Sequence, residues 1–166
     1  MRNVAADLLL GAAAGAAATY VMDQVTTVLY EREPKDVQER ESAARGGKTA
    51  YEIAAERIAR LFDKPIDEEQ RKRVGSAIHW SLGVSSGVLY GALRHRFRSL
   101  RYGSGLLYGT AFFLLMDEGA LTLLGLTPPP KEFPWQTHGR GLVGHLVLGG
   151  LIEAAFDVAD AVVERA

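Results

Sequence analysis

Between Gly75 and Gly91 the chain sets Gly75, His79, Gly83, Gly87 and Gly91 at a strict spacing of four, which places all five on one face of a helix. In a water-soluble helix each of those glycines would cost about 1 kcal/mol relative to alanine. In a bilayer, small residues at i and i+4 let helix backbones approach closely, and the same stripe becomes a packing surface. The surrounding stretch, Val74 to Leu93, runs for 20 residues without Asp, Glu, Lys or Arg. At about 1.5 Å per residue that is enough to cross a ~30 Å hydrocarbon core. The pattern predicts a membrane helix packed through its glycines, with a histidine set into the packing face.

The spacing recurs three times. Gly11, Gly15, Thr19 and Asp23 carry it in a helix expected over 4–30 and ended by Pro34. Gly105, Gly109, Phe113 and Asp117 carry it over 104–126, which the prolines at 128–130 must close. Gly141, His145, Gly149, Glu153 and Asp157 carry it over 139–163. With the second helix at 74–97, the expected fold is all-α: an integral membrane four-helix bundle with Gly-x-x-x-Gly packing, forming a single membrane domain over 1–166. Arg2 before an apolar run resembles a secretory leader, but Asp7 interrupts that run, and the segment is read as the first membrane helix.

A mean hydropathy of 0.00 suits a soluble bundle, which is the competing architecture. The average conceals a segregation, because residues 31–73 hold 11 Lys/Arg and 11 Asp/Glu. That segment is expected outside the membrane. Within it Thr49 and Glu52 form a capping-box pattern, and Tyr51, Ile53, Ala54, Ile58, Leu61 and Phe62 give the next turns an apolar face. The result is an amphipathic helix between helices one and two, lying on the membrane surface or on the bundle. Asp67 with Gln70 caps a further helix that continues toward residue 74. The net charge of -1 gives no electrostatic reason to expect nucleic acid. The absence of cysteine excludes a disulfide framework, a thiolate nucleophile and any Cys-ligated metal centre.

Several residues carry a family resemblance: His79-Trp80, the Gly125 to Pro129 turn, Pro134-Trp135, and the segment from Gly144-His145 to Val147. Together they resemble the YagU-like family of bacterial inner-membrane proteins, a domain of unknown function. The resemblance covers roughly residues 75 to 155 and implies a small multi-pass protein of the bacterial inner (plasma) membrane. Gly141 stands where an acidic residue is expected shortly before the Gly-His pair, and Asp117-Glu118 where a histidine is expected in helix three.

Counted from the end of each helix that faces the charged segment, Asp23, His79, Glu118 and His145 fall within about one helical turn of a common depth. Each lies on or beside its helix's small-residue stripe. Ionisable residues inside a bilayer are costly unless paired and tend to mark ion pathways, proton relays or ligand sites. Asp23, His79, Asp117, Glu118 and His145 are therefore candidate ligands for zinc, iron or manganese, or members of a proton-binding layer. The Glu-x-x-His signature of di-metal bundles is missing. The plainer account is polar glue between helices, worth about 0.6 to 2 kcal/mol per contact. A third account uses His79 and His145 as axial ligands of a haem. At the opposite end, Asp7, Glu153, Asp157 and Asp160 are expected to pair with the basic turn from Arg94 to Arg101.

Thirteen Lys/Arg on the side of the charged segment against six on the side of the termini put that segment in the cytoplasm, while the acid-free arginine turn argues for termini inside, the orientation adopted here. Three functions follow. One is a metal or proton site in a transport, redox or stress role. A second is an accessory subunit or homo-oligomeric assembly module within a larger membrane complex, and the last is a membrane-embedded metal hydrolase. No nucleophile elbow, P-loop or dinucleotide fingerprint is present, and no catalytic residue is assigned.

Overall fold

Three of the helices begin where a short polar side chain satisfies free backbone N–H groups of the first turn. In the computed structural model, which describes residues 3–165 and so leaves Arg2 of the leader reading outside them, Asn3 accepts the Ala6 N–H at 2.8 Å and opens α1, Val4–Glu31. Pro34 sets the start of α2, Lys35–Arg45, which ends on Gly46 in the left-handed conformation at φ 61°. Thr49 and Glu52 form the expected capping box before α3, Ala50–Leu61. Asp67 and Gln70 form a second box before α4, Glu68–Leu93. A left-handed Gly105 precedes α5, Leu106–Leu123, and α6 spans Trp135–Arg165. Among the described residues the protein is all-α, with 82% in helices and no strand.

Three boundaries differ from the sequence expectation. The charged segment holds one helix more than expected, because α2 precedes the amphipathic α3, while α4 starts within the segment where its capping box places it. The second long helix stops at Leu93, not 97, since the chain turns back through a short 3-10 segment at Arg98–Arg101. The third long helix ends at Leu123 and is not uniform, as residues Leu114–Ala120 form a π-helical insert.

α1 packs along α4 and α6, α5 packs along α6, and α3 lies on α4. Glycines sit at the closest approaches. A methyl group on Gly11 would overlap the Gly87 carbonyl oxygen, one on Gly83 would overlap the Thr19 hydroxyl, and one on Gly149 would reach within 3.0 Å of Gly109 Cα. Gly75 meets the α3 backbone at Glu52. The buried centre is formed by Ala14, Ala18, Tyr90, Tyr108, Leu148, Ile152 and Phe156.

Among the described residues two helices, α1 and α5, are long and apolar enough to cross a membrane. α4, expected as the clearest span, is not one of them, and neither is α6. The reason is compositional: the charge-free part of α4 holds four glycines, four serines and a histidine, which lower its hydropathy without adding charge.

Candidate functional site

At the end of the long helices where α2, α3 and the 127–133 loop lie, the side chains leave a cavity of about 500 Å³. All six helices contribute to its lining. Of the five sequence-predicted ligands, Asp23, His79, Asp117 and Glu118 line it, and His145 does not. The structure resolves the expected layer into three His–carboxylate pairs. Asp23 Oδ1 of α1 lies 2.9 Å from His79 Nε2 of α4, with the Tyr51 ring of α3 centred 5.0 Å from the imidazole. Asp117 Oδ2 of α5 lies 3.8 Å from His145 Nδ1 of α6. Glu118 Oε1, the next residue on α5, lies 2.6 Å from His138 Nδ1 of α6.

The π insert explains how two successive carboxylates reach the same cavity. Successive residues of an α-helix diverge by about 100°, and the wider π turn narrows that angle, so Asp117 and Glu118 both line the opening. Inserts of this kind recur at functional sites.

Asp23, His79, Asp117, Glu118 and His145 were expected to share one zinc, iron or manganese ion. Among the described residues, no group of three or more His, Asp or Glu side chains is placed to hold a metal. The physical reason is that Asp23 and Glu118 each bond an imidazole of a neighbouring helix, and Asp117 stands 3.8 Å from His145 Nδ1, so the side chains do not converge on a common centre. For the haem alternative, His79 and His145 are engaged separately. His145 Nδ1 donates to the Gly141 carbonyl at 2.9 Å, and its ring sits between Phe112 and Phe113, outside the cavity lining.

His138 was overlooked because it stands at the start of α6, next to the proline-rich turn and away from any glycine stripe. Its two ring nitrogens both face acceptors, Glu118 Oε1 at 2.6 Å and the Pro130 carbonyl at 3.0 Å. A neutral imidazole has one N–H. Both hydrogen bonds can therefore form only if the ring is doubly protonated or if Glu118 carries the second proton.

Around this centre the rim is held by ion pairs that also escaped the sequence reading. Glu41 of α2 accepts from Arg45 at 2.8 and 3.0 Å, from Arg140 at 2.5 Å and from Thr137 at 2.9 Å. Arg140 also donates to Glu33 at 2.5 Å and lies over the Tyr30 ring. Burial opposes ionisation of Glu41, but the hydrogen bonds and charges of Arg140 and Arg45 prevail and hold its carboxyl below the usual range. On α3, burial and then the Asp117 carboxylate push the Tyr51 phenol well above its ordinary value, leaving it a neutral donor.

At the opposite end the expected pairing of acids with the arginine turn is present. Arg94, 1% exposed, donates to Asp160 at 3.0 Å and lies 3.5 Å from Glu153 and over the Phe156 ring. Arg101 donates to Glu153 at 2.7 Å and Asp157 at 3.2 Å, and Tyr90 donates to Glu153. Asp7 lies 2.9 Å from His95.

The model of one protein family, described as protein of unknown function (DUF1440), matches residues 57–154. No curated protein and no solved structure matches the chain. The match includes α4, α5 and most of α6, and with them His79, Asp117, Glu118, His138 and His145, so that the chain belongs to the DUF1440 family of proteins of unknown function.

Proposed function

We propose that this chain is a YagU-like, multi-pass protein of the bacterial inner membrane, a four-helix bundle closed by glycine contacts. In this reading its cavity takes up a small polar solute together with protons, in a transport role. The hydropathy of α1 and α5 supports the membrane setting. So do the apolar side chains left exposed along α5 and α6, among them Leu107, Leu114, Leu115, Val158 and Val162. α4 and α6 then serve as the less apolar helices of the bundle, with their glycines against α1 and α5.

The observation that carries the proton part is the His138 ring between Glu118 and the Pro130 carbonyl. That arrangement holds one proton more than a neutral imidazole beside a carboxylate, and losing it breaks one of two hydrogen bonds at the cavity wall. Two further His–carboxylate pairs lie within the same group of helices. The accessory-subunit reading finds less support, because the glycines it would offer to a partner lie against one another within one chain.

The protein reconstituted in liposomes with an entrapped pH dye tests the proposal. After a pH step, proton movement faster than in empty liposomes, and slowed by Glu118→Gln and by His138→Gln, is the expected result. Movement no faster than in empty liposomes, with the helical content intact by circular dichroism, overturns it.

A further inference from the structure

The charged side chains lining the cavity are committed to one another with one exception. Arg45 and Arg140 are bonded to Glu41, Lys48 to Glu56, Asp23 to His79 and Glu118 to His138. Asp117 accepts no hydrogen bond among the described residues. Its ion-pair neighbour within 4 Å, His145 Nδ1 at 3.8 Å, already directs its hydrogen to the Gly141 carbonyl. A second lining residue on the same helix, Thr122, keeps a buried hydroxyl oxygen with no partner. The approach to Asp117 is kept open by Gly141, where a methyl group would stand 3.7 Å from Asp117 Oδ2 and 2.8 Å from Phe113 Cε2.

We propose that Asp117 anchors a small organic cation in this cavity, a primary ammonium carried on a compact apolar body lying by the rings of Tyr51 and Phe113. This inference rests on the cavity being a solute site and names the class of that solute. An ammonium group supplies three donors, which suits a carboxylate without a donor and a hydroxyl without a partner. A hydrogen bond between two charged groups is about twice as strong as a neutral one, and aromatic rings add attraction for a desolvated cation. An anion finds no such place, because each lining arginine and lysine is already bonded to a carboxylate. A hard divalent ion, which collects several oxygen ligands, finds a single uncommitted carboxylate. The volume of about 500 Å³ falls in the ordinary range of ligand pockets, roughly 300–1,000 Å³.

Isothermal titration of the full-length protein in detergent with phenethylammonium, and in parallel with 3-phenylpropionate, tests the inference. The two probes share their shape and differ in charge. Saturable binding of the cation is expected, with none of the anion. Asp117→Asn should weaken it at least about tenfold, Thr122→Val about threefold, and Asp157→Asn, at the other end of the molecule, not at all. Should Asp117→Asn fail to fold, the two probes and Thr122→Val still decide the matter. Equal binding of both probes, or binding indifferent to Asp117→Asn and Thr122→Val, overturns the inference. If phenethylammonium does not bind while the liposomes still show proton movement, the solute class is wrong and the cavity reading stands; if neither is seen, both fall.

Discussion

Gly87 and Gly150 offer the same substitution with opposite consequences. A methyl group on Gly87 would overlap the Gly11 carbonyl oxygen and lie 2.8 Å from both Gly15 Cα and Gly15 N. All three are backbone atoms of α1 that cannot rotate away. Restoring an ordinary contact of about 3.5–4.0 Å from 2.8 Å means moving α1 back by at least roughly 0.7–1.2 Å, and relieving the overlap with the Gly11 carbonyl oxygen needs more. That movement also loosens Gly15 against Gly83 and Thr19 against Gly83. A gap of that size forfeits about a quarter to a half of each dispersion contact along the seam. Overpacking of this kind costs about 1–3 kcal/mol, against a helix-propensity gain of about 1 kcal/mol for Gly→Ala. The two figures net to about 0–2 kcal/mol, and the dispersion lost along the seam carries Gly87→Ala toward the destabilised end, a fall in Tm of up to about 8 °C. A methyl on Gly150 meets nothing closer than the Ser104 carbonyl oxygen at 3.8 Å, so Gly150→Ala keeps the propensity gain and should hold or raise Tm. Thermal unfolding followed by circular dichroism in one detergent compares the two. Equal shifts, or a Gly87→Ala protein as stable as the parent, would refute the account of α1 and α4 as backbones in contact.

Other outcomes follow from the two ionic ends. The Glu41 carboxyl is held below its ordinary value of about 4.5, so its contribution is fully present above that pH and is lost as the pH falls through the lower folded-state value. Proteolysis within α2 should accordingly accelerate only below about pH 4.5, and Glu41→Gln should show the acid behaviour at neutral pH. Arg94→Met should destabilise by about 1–3 kcal/mol, because the 3% exposed Glu153 carboxylate loses one of its two arginines while keeping Arg101; recovery of stability on adding Glu153→Gln to Arg94→Met is the check. Arg57 donates to the carbonyls of Leu124 and Gly125, both at 2.5 Å. Arg57→Ala should raise amide hydrogen exchange at the end of α5 without shifting Tm by more than a few degrees.

What could be read from the sequence was what repeats or what acts locally. The glycine spacing marked the faces that meet, and two capping boxes fixed the starts of α3 and α4 to the residue. Depth counted along the helices put Asp23, His79, Glu118 and His145 in one layer; of these Asp23 and His79 meet, whereas Glu118 meets His138 and His145 lies nearest Asp117. Three things were hidden. α2 is a polar helix without an apolar stripe, held by Glu41 to Arg140, 99 residues away. The π insert has no compositional signature in Leu114–Ala120, yet it carries the two successive carboxylates that share a wall. His138 belongs to a hydrogen-bond pattern that closes only when the proline turn folds back beneath α6. The placement of α2 and of His138 depends on contacts between distant segments, which spacing along one helix cannot encode.

The glycine seams and the polar cavity constrain each other. Where α1 and α4 touch through Gly11, Gly15, Gly83 and Gly87, no side chain fits between them, and the helices are held at backbone distance. One turn further along α4 from Gly83, the stripe position is taken by His79, whose imidazole needs room and meets Asp23 and Tyr51. The same change occurs between α5 and α6, where Gly105, Gly109 and Gly149 give way to Asp117, Glu118 and His138. At the cavity end the α1–α4 stripe position next to Gly83 carries a ring side chain in place of glycine, and that ring lines the opening. Replacing His79 by glycine should let α4 close on α1, narrow the cavity and leave Asp23 without its partner, whereas His79→Gln should keep the opening. Small-angle scattering lacks the resolution to separate the two, but a spin-label pair on Thr26 and Ser76 measured by electron resonance has it. A shorter distance in His79→Gly than in His79→Gln is expected, and the same distance in both would mean that the side chain at this position does not hold the opening.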